Sequence, residues 1–513
     1  MPAQSFTAWV DKNLGISESG KILSSLAAGK RKPRIIVVGT GLSGICMGMR
    51  LMAAGYDDLI LLEKADRCGG TWHYNQYPGL RCDVPSHYYQ YSFEPSSQWS
   101  HRFCGGEEIR QYFERMARKY GVFERIRFNT ETRHAEWTGS GWKLDVATAA
   151  GVGEQLECDI LIAACGILVR PRYPDLPGLD SFAGTVVHSA RWDHALELAG
   201  KRVGVIGNGS TGIQMIKPLT DVCSKVISFQ RTPQWVLPIP NRKYSGFSHW
   251  LTGKLPVLSR LYYHSYRFLM EQVLGRGIIK DNASRRMVAK LCRWNLDSVK
   301  DPDLRAKLTP DYTPMCKRLV MSSEFYPAIQ RPNAELVRVG IDHVEPRGIV
   351  TADGKLHELD IIALATGFHA NEYMLPMTMT GAHGVTLDAA WKDGPRGYRT
   401  VAMPNFPNFF MVMGPHSPVG NFSLASIAET QSEYILKFIN LWAERKFEKV
   451  YPREDATGRF NAEMLANMKD TVWTTGCKSW YLDEKGVPGS WPWTATRFRA
   501  DLHDPKLQEY VIA

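Results

Sequence analysis

The sequence predicts an α/β fold with two Rossmann-like dinucleotide-binding domains, because one arrangement of strand, glycine turn and helix occurs twice. The first copy runs from Arg34-Ile-Ile-Val-Val38 into Gly39-Thr-Gly41-Leu-Ser-Gly44. The second copy runs from Arg202-Val-Gly-Val-Ile206 into Gly207-Asn-Gly209-Ser-Thr-Gly212. In each copy, an apolar run predicts a buried parallel strand, and the glycines that follow predict a tight turn into a helix.

A second repeat suggests how the chain is divided between the two domains. Asp159-Ile-Leu-Ile-Ala-Ala-Cys-Gly166 and Asp360-Ile-Ile-Ala-Leu-Ala-Thr-Gly367 each run from an aspartate through a buried strand to a glycine. A proline-stiffened crossing at 170–177 follows the first of them, so we expect the chain to enter the second domain there and to return near Asp360. The predicted segments are an N-terminal helical extension at 1–33, a discontinuous first domain at 34–175 and 359–513, an inserted second domain at 176–239 and 311–358, and a small helical insert at 240–310.

The first glycine turn fits FAD. Gly39, Gly41 and Gly44 provide a tight turn, a close backbone approach to a pyrophosphate, and close packing of the helix on the strand. The next strand, at 59–62, ends at Glu63, nineteen residues after Gly44. A carboxylate at this position holds a ribose diol and repels a 2′-phosphate.

The second glycine turn fits NADPH. The strand after it, at 226–229, leads to Arg231, which also stands nineteen residues after the third glycine. A guanidinium at this position pairs bidentately with the 2′-phosphate that distinguishes NADPH from NADH. The candidate residues for this site are Gly207, Gly209, Ser210, Thr211, Gly212, Arg231 and Thr232.

The composition indicates a globular protein that does not bind nucleic acid. The 62 lysines and arginines exceed the 52 aspartates and glutamates by ten, but they are scattered along the chain. The ten cysteines are spaced too widely for a zinc ribbon or a dithiol motif, so we predict no metal and reduced thiols. The sequence shows no signal peptide and no bilayer-spanning apolar run, so we expect a cytoplasmic protein without stable membrane insertion or an obligatory protein partner.

Two helical segments lie outside the nucleotide domains. In the extension, Phe6, Trp9 and Leu14 stand near helical spacing and predict a helix that packs on the core. In the insert, apolar side chains alternate with basic ones. Its helices could pack as ordinary helices on the nucleotide domain, line a substrate funnel or touch a membrane surface.

Candidate reacting groups follow the first glycine turn. Gly69-Gly70-Thr71-Trp72 allows the backbone to approach a flavin and offers Trp72 as an apolar wall. Asp83 is a carboxylate that needs a partner if its loop is buried. Arg318 is the candidate partner, because Lys317-Arg318 has no acidic neighbour in sequence, although a solvated surface pair of cations explains these residues equally well.

The stretch between the two glycine turns carries the most specific pattern. Its spacing is Phe182-x-Gly184-x-x-x-His188-x-x-x-Trp192-Asp193. Locally the stretch predicts a connector that packs one domain on another. The same spacing resembles the linker fingerprint of the Baeyer-Villiger flavoprotein monooxygenases, whereas the related heteroatom-oxidising flavin monooxygenases end this stretch in an aromatic residue followed by a base.

This resemblance covers nearly the whole chain from Arg34 onward and implies roles for single residues. In that family, the arginine matching Arg318 stabilises the flavin C4a-peroxide anion and the tetrahedral adduct that it forms with a ketone. The aspartate matching Asp83 positions that arginine, and the lysine matching Lys317 binds the NADP 2′-phosphate together with Arg231 and Thr232. Further matches are the Ala-Thr366-Gly367 signature, a flavin-side loop at 404–421, and Trp480, which would cover the nicotinamide. Two departures, Asn208 and Leu319, stand where threonine and proline are commoner.

The expected activity is that of an NADPH- and O2-dependent flavin monooxygenase. It would insert one oxygen next to a ketone carbonyl, through a C4a-peroxyflavin, to give an ester or lactone. One alternative is a heteroatom monooxygenase that makes N- or S-oxides, which requires a protonated hydroperoxide. Another is a flavin redox sensor without turnover, which would not need Lys317 and Arg318 together with an NADPH site.

Overall fold

The structure is a computed structural model that describes residues 32–370, 372–477, 479, 481–483 and 485–513. Nearly all of the predicted N-terminal extension, residues 1–31, lies outside the described residues, and so does Trp480.

Runs of consecutive strands and one run of consecutive helices separate the parts of the chain in which strands and helices alternate. The strands are β1 Ile35–Val38, β2 Leu59–Leu62, β3 Ile126–Arg127, β4 Thr130–Trp137, β5 Trp142–Thr148, β6 Gly153–Cys158, β7 Ile160–Ala163, β8 Thr185–His188, β9 Arg202–Ile206, β10 Lys225–Phe229, β11 Val236–Leu237, β12 Val320–Met321, β13 Ala334–Val337, β14 Ile341–Glu345, β15 Gly348–Thr351, β16 Leu356–Glu358, β17 Ile361–Leu364, β18 Thr378–Thr380, β19 Phe409–Met411, β20 Val450–Pro452 and β21 Tyr510–Ile512. The α-helices are α1 Leu42–Ala53, α2 Thr71–Tyr74, α3 Gly106–Lys119, α4 Ser210–Val222, α5 Gly246–Lys254, α6 Pro256–Phe268, α7 Arg276–Ile279, α8 Ala283–Leu296, α9 Pro302–Leu308, α10 Phe325–Ile329, α11 Leu387–Ala390, α12 Leu424–Ala443, α13 Glu454–Met468 and α14 Ala495–Asp501. A π-helix, Leu269–Gly275, joins α6 to α7.

The first domain is built on a parallel sheet with the strand order β19-β7-β1-β2-β3. Its central strand β1 is apolar on both faces, and the two faces pack differently. Ile35 and Val37 belong to the main core, while Ile36 faces the cluster that includes Trp142 of the β4–β6 meander. Burial on both sides explains why a strand of four residues reads as a continuous apolar run.

The second domain repeats this plan with the strand order β13-β10-β9-β17-β8. β17 lies in this sheet, where Ile361 pairs with Thr185 of β8 and with Val203 of β9. The predicted return to the first domain at 359 is therefore wrong, because the chain first completes the second sheet. Short apolar runs suit either parallel sheet, and only the pairing with β8 and β9 decides between them.

The chain crosses between the domains through two segments that lie side by side. The amide of Arg172 donates to the carbonyl oxygen of Gly367 at 2.9 Å, and the amide of His369 donates to Arg170 at 3.1 Å. Thr366 adds a side-chain hydrogen bond from its Oγ1 to the carbonyl oxygen of Arg172. The segment that leaves the first domain and the segment that returns to it are thus hydrogen-bonded to each other, which fixes the position of one domain against the other.

The predicted helical insert is present as α5 to α9. Within the described residues, no helix combines the length and apolarity that crossing a membrane requires.

Candidate active site

The first glycine turn leaves no room for a Cβ at Gly39 or Gly44. Gly39 has a φ of +102°, and a Cβ there would lie 2.6 Å from the carbonyl oxygen of Ala164. A Cβ on Gly44 would lie 1.9 Å from the carbonyl oxygen of Gly39. Gly41 stands at the N-cap of α1, and no side chain caps the first amides of that helix. A helix N-terminus that lacks a side-chain cap suits the pyrophosphate of a dinucleotide.

Glu63 lies beside this turn, at the carboxyl end of β2. Its Oε2 accepts hydrogen bonds from the amide and the hydroxyl of Thr40, at 3.0 and 2.8 Å, and its Oε1 accepts from the amide of Ala65. These contacts hold the buried carboxylate at the edge where a ribose would lie. The position fits the predicted FAD contact.

The Gly69–Trp72 segment packs directly against the first glycine turn. The amide of Gly69 donates to the carbonyl oxygen of Thr40 at 3.0 Å. Gly70 has a φ of +55°, and a Cβ there would lie 2.8 Å from the Cα of Gly41. Thr71 begins α2, and the Trp72 indole donates to the hydroxyl of Tyr89 at 3.3 Å. The glycines are needed because two backbones meet here.

The second glycine turn has the same geometry. Gly207 has a φ of +108° and lies against the carbonyl oxygen of Ala365, while a Cβ on Gly212 would lie 2.1 Å from the carbonyl oxygen of Gly207. Gly209 is the N-cap of α4, and Ser210 and Thr211 begin that helix. The chain therefore offers two helix N-termini of one design, each shaped for a phosphate group.

Asn208, which departs from the family pattern, has a structural role in this turn. Its Nδ2 donates to the Gln230 side chain at 3.0 Å and to the carbonyl oxygen of Thr232 at 2.6 Å. The asparagine thus ties the glycine turn to the end of β10. Thr232 contributes its backbone to this contact.

Arg231 and Lys317 form a pair of neighbouring cations beside the second turn. Arg231 is exposed just after β10. Burial lowers the pKa of Lys317, and the positive charge of Arg231 lowers it further, while Asp311 opposes both effects. Two cations held together are stabilised by an anion between them, and a 2′-phosphate is such an anion.

Arg318 and Asp83 form a bidentate ion pair between the two domains, as predicted. Nε of Arg318 donates to Oδ2 of Asp83 at 3.0 Å, and Nη2 donates to Oδ1 at 2.9 Å and to Oδ2 at 2.7 Å. The carboxylate raises the pKa of Arg318, which therefore stays charged. Among the described residues no hydrogen-bond partner is recorded for Nη1, so its donors remain available.

Two features near Arg318 were missed in the sequence. Cys316 forms a disulfide with Cys477, so the prediction that all the thiols are reduced is wrong for this pair; the other eight cysteines are free. Tyr481, in the loop that follows Cys477, lies close enough for the charge of Arg318 to lower its pKa against a larger rise caused by burial. A separation of 161 residues hides the disulfide from any local pattern.

The two nucleotide domains meet through α4. Gln214 of that helix accepts a hydrogen bond from the Tyr77 hydroxyl at 2.9 Å and donates to the carbonyl oxygen of Arg81 at 3.1 Å. A Cβ on Gly79 would lie 2.4 Å from the carbonyl oxygen of Gln214. These contacts place the loop that carries Asp83 against the helix that starts the second nucleotide site.

The fingerprint stretch is more than a connector, because four of its twelve residues form the edge strand β8. A Cβ on Gly184 would lie 2.3 Å from the carbonyl oxygen of Asp360 and 2.7 Å from the ring of Phe182. The His188 ring is buried near Tyr173 and Phe368, and its burial lowers the pKa to about 4.

The end of the stretch serves local structure. Trp192 is buried in the main core, and Asp193 accepts a hydrogen bond from the amide of Ala195. None of these residues reaches Arg318 through a recorded contact. The stretch supports the paired crossing between the domains, where Gly367 has a φ of +83°.

The structure has one glycine turn of the dinucleotide-binding type in each of two domains, and the Arg318–Asp83 ion pair joins the domains. The family model described as flavin-binding monooxygenase-like matches residues 32–378. An uncharacterised monooxygenase of Mycobacterium tuberculosis is 48% identical over 94% of this chain and 96% of its own length. A Baeyer-Villiger monooxygenase of Streptomyces coelicolor is 38% identical over 93% of this chain and 92% of its own length.

Among solved structures, the OTEMO complex with FAD and NADP superposes with a TM-score of 0.82, at 28% identity, over 94% of this chain and 100% of the other. The chain belongs to the flavin-binding monooxygenase-like family, in its Baeyer-Villiger branch. Its cofactors are FAD and NADPH, and the two glycine turns described above fit them.

Proposed function

We propose that Arg318 and Asp83 form the reacting centre of an enzyme that converts a ketone, with NADPH and O2, to an ester or lactone. The net reaction consumes one NADPH and one proton, places one oxygen atom in the product and releases the other as water. FAD, when bound, supplies hydride acceptance and oxygen activation. The observation that supports the proposal best is the bidentate ion pair, which holds a permanent cation between the two domains that carry the glycine turns.

The first glycine turn, Glu63 and the Gly70–Trp72 segment would hold FAD. The second glycine turn would hold NADPH, with Arg231, Lys317 and Thr232 at the 2′-phosphate. Both sets are required in one chain, because reducing equivalents must pass from the second nucleotide to the first. A redox sensor without turnover would not need the cation pair at the second site.

Arg318 favours attack on a carbonyl over oxidation of sulfur or nitrogen. Addition of an oxygen nucleophile to a ketone places negative charge on the former carbonyl oxygen, and a fixed guanidinium stabilises that charge without reorganising. Transfer of oxygen to a sulfide or an amine develops no such oxyanion and needs a protonated oxidant. Because Asp83 raises the pKa of Arg318, the guanidinium stays charged, and its positive charge disfavours protonation of an adjacent oxygen.

Asp83 acts through Arg318. With Nε and Nη2 engaged, the guanidinium cannot rotate, and Nη1 keeps one direction. Tyr481 is buried near the arginine, and a buried ring there would help to exclude water. We further propose that the protein works in the cytoplasm on a small-molecule ketone and O2, without an obligatory protein partner.

Product identification tests the proposal. The holoenzyme is incubated with NADPH, O2 and a mixed panel of ketones and sulfides, and the products are identified by mass spectrometry. Esters or lactones that depend on NADPH are the expected result. Sulfoxides without any ester would assign the protein to heteroatom oxidation, and NADPH consumption without any oxygenated product would refute turnover of either kind.

A further inference from the structure

Exposed apolar side chains are concentrated in one stretch of the chain. Of the nineteen large apolar side chains that are exposed among the described residues, eleven lie between 247 and 294, in and around helices α5, α6 and α8. Single exposed apolar residues are normal on a protein surface, but a concentration of this kind marks an interaction surface.

Helix α8 has two apolar faces, and only one of them is buried against the rest of the protein. Val288, Cys292 and Leu296 face the core and are buried. Met287, Leu291 and Trp294 recur at the same helical spacing on a second face and are exposed, Trp294 to 67%. A helix that only packed on the nucleotide domain would present polar side chains at these positions.

Basic side chains flank this exposed stripe. Arg286, Lys290 and Arg293 each stand next to one of the three apolar residues, and all are exposed. They therefore form a parallel row along one side of the stripe. An exposed apolar face beside a basic face is the arrangement of helices that lie in the interface of a membrane.

Helices α5 and α6 repeat the pattern. Phe247 and Trp250 of α5 stack on each other at a centroid distance of 5.9 Å and are both exposed. On α6, Leu261 and Phe268 stand two turns apart on one exposed face, with Arg260 adjacent to Leu261. The exposed aromatic side chains are of the kind that anchor in the headgroup region.

The charge of the insert is strongly one-sided. Residues 246–296 hold nine of the 62 basic residues and two of the 52 acidic ones, so they carry +7 of the net +10 of the chain. One of the two acidic residues, Glu271, is buried and paired with Arg499 and Arg267. The charged side chains exposed between residues 246 and 296 are therefore almost all cationic.

We propose that helices α5, α6 and α8 form a docking surface for an anionic lipid bilayer. The exposed aliphatic and aromatic side chains enter the interface, and the basic row contacts the lipid headgroups. A second copy of the chain would bring the same positive surface against itself. Residues 1–31 hold four basic residues and two acidic ones, so they do not complement the surface either.

A vesicle flotation assay with the FAD-loaded, full-length protein tests this surface. The vesicles are phosphatidylcholine with about one third phosphatidylglycerol, compared with phosphatidylcholine alone. We expect binding to the anionic vesicles at low salt, weaker binding at high salt, and at least about tenfold weaker binding to neutral vesicles.

Paired variants separate the apolar and the cationic contributions. Leu291→Gln with Trp294→Gln should lower the partition coefficient at least about tenfold, since two anchors are lost. Lys290→Glu with Arg293→Glu should lower it by a similar factor, about fivefold or more per charge, on anionic vesicles only. Val152→Gln with Leu465→Gln is the matched control, because these side chains are also exposed, to 62% and 42%, but lie outside the insert.

FAD content of each variant reports folding, and Phe247→Gln with Trp250→Gln provides a second apolar variant if the α8 variant loses its flavin. The inference is overturned if the unmodified protein ignores anionic vesicles, or if the control variant loses as much binding as the α8 variant. A concentration-dependent dimer in sedimentation that the α8 variant abolishes, without vesicle binding, would assign the surface to self-association instead.

Discussion

Replacing Arg318 with alanine should separate reduction of the flavin from oxygenation of the ketone. The guanidinium contacts neither glycine turn through a recorded hydrogen bond; its recorded bonds are those to Asp83. Binding of both nucleotides and hydride transfer between them should therefore survive the substitution. Formation of ester should not, because the donors of Nη1 are lost.

The size of the effect follows from the geometry. In the proposed role, Nη1 supplies a fixed charged donor to a developing oxyanion, and loss of one such donor costs about 3–4 kcal/mol, or about a hundred- to a thousandfold in rate. Arg318→Lys should recover little of this, because an ammonium group cannot pair with both oxygens of Asp83 and also present a donor in a fixed direction. Asp83→Ala should cost less, on the order of tenfold to a hundredfold, since the cation remains but is free to turn.

Two measurements on the same protein samples test this prediction. Anaerobic stopped-flow follows bleaching of the flavin by NADPH, and aerobic incubation followed by mass spectrometry measures the ester. Arg81→Ala is a matched control, because Arg81 also bridges the two domains in an ion pair, with Glu324 at 2.8 Å, but makes no contact with Arg318. An Arg318→Ala protein that makes ester at close to the unmodified rate would refute the role. An equal loss of flavin reduction would show that Arg318 serves binding instead.

Three further predictions concern the second nucleotide site, the crossing and the disulfide. Arg231→Ala should raise the KM for NADPH by about tenfold to a few hundredfold and leave that for NADH nearly unchanged, and equal losses with both would contradict the 2′-phosphate assignment. Burial lowers the pKa of His188 from 6.5 to about 4. Between these pH values His188 is protonated in the unfolded chain but not in the folded chain. The free energy of unfolding should therefore fall as the pH falls from 6.5 to 4. His188→Gln should flatten that slope by up to about 1.4 kcal/mol per pH unit in denaturant titrations, and an unchanged slope would exclude His188 as its source. Cys316→Ser should lower the free energy of unfolding by roughly 2–4 kcal/mol, and a reducing agent should have no further effect on the stability of this variant. A reducing agent that lowers the stability of the variant and of the unmodified protein equally would place the effect at another pair of cysteines.

The sequence alone determined the parallel strands, the two glycine turns and the chemical difference between the two nucleotide sites. These features are local. A strand buried on both faces is recognisable as an apolar run, and a turn in which a Cβ would clash with backbone at 1.9–2.6 Å admits only glycine. Glu63 and Arg231 stand the same number of residues after their glycine turns, because in each domain the chain runs through one helix and then along the next strand before it reaches this position.

The pairing of Asp83 with Arg318 was only partly predictable from the sequence. Lys317-Arg318 stands out locally as a pair of cations without an acidic neighbour, and Asp83 needs a partner if its loop is buried, which made the pair a hypothesis. Because 235 residues separate them, a solvated Lys317-Arg318 surface explained the sequence equally well. Tertiary contacts between the domains, among them those of Gln214 with the Asp83 loop and the Arg81–Glu324 ion pair, bring the two charges together.

Only the tertiary structure decided the sheet to which β17 belongs, the partner of Cys316 and the closeness of Tyr481 to Arg318. Each is a contact between segments far apart in the chain, and residue type does not specify it. Ile361–Leu364 would be buried in either sheet, and a cysteine has no local signature for its partner. The exposed stripe on α8 is of the same kind, since its spacing matches that of a core face and only packing shows which of two apolar faces remains uncovered.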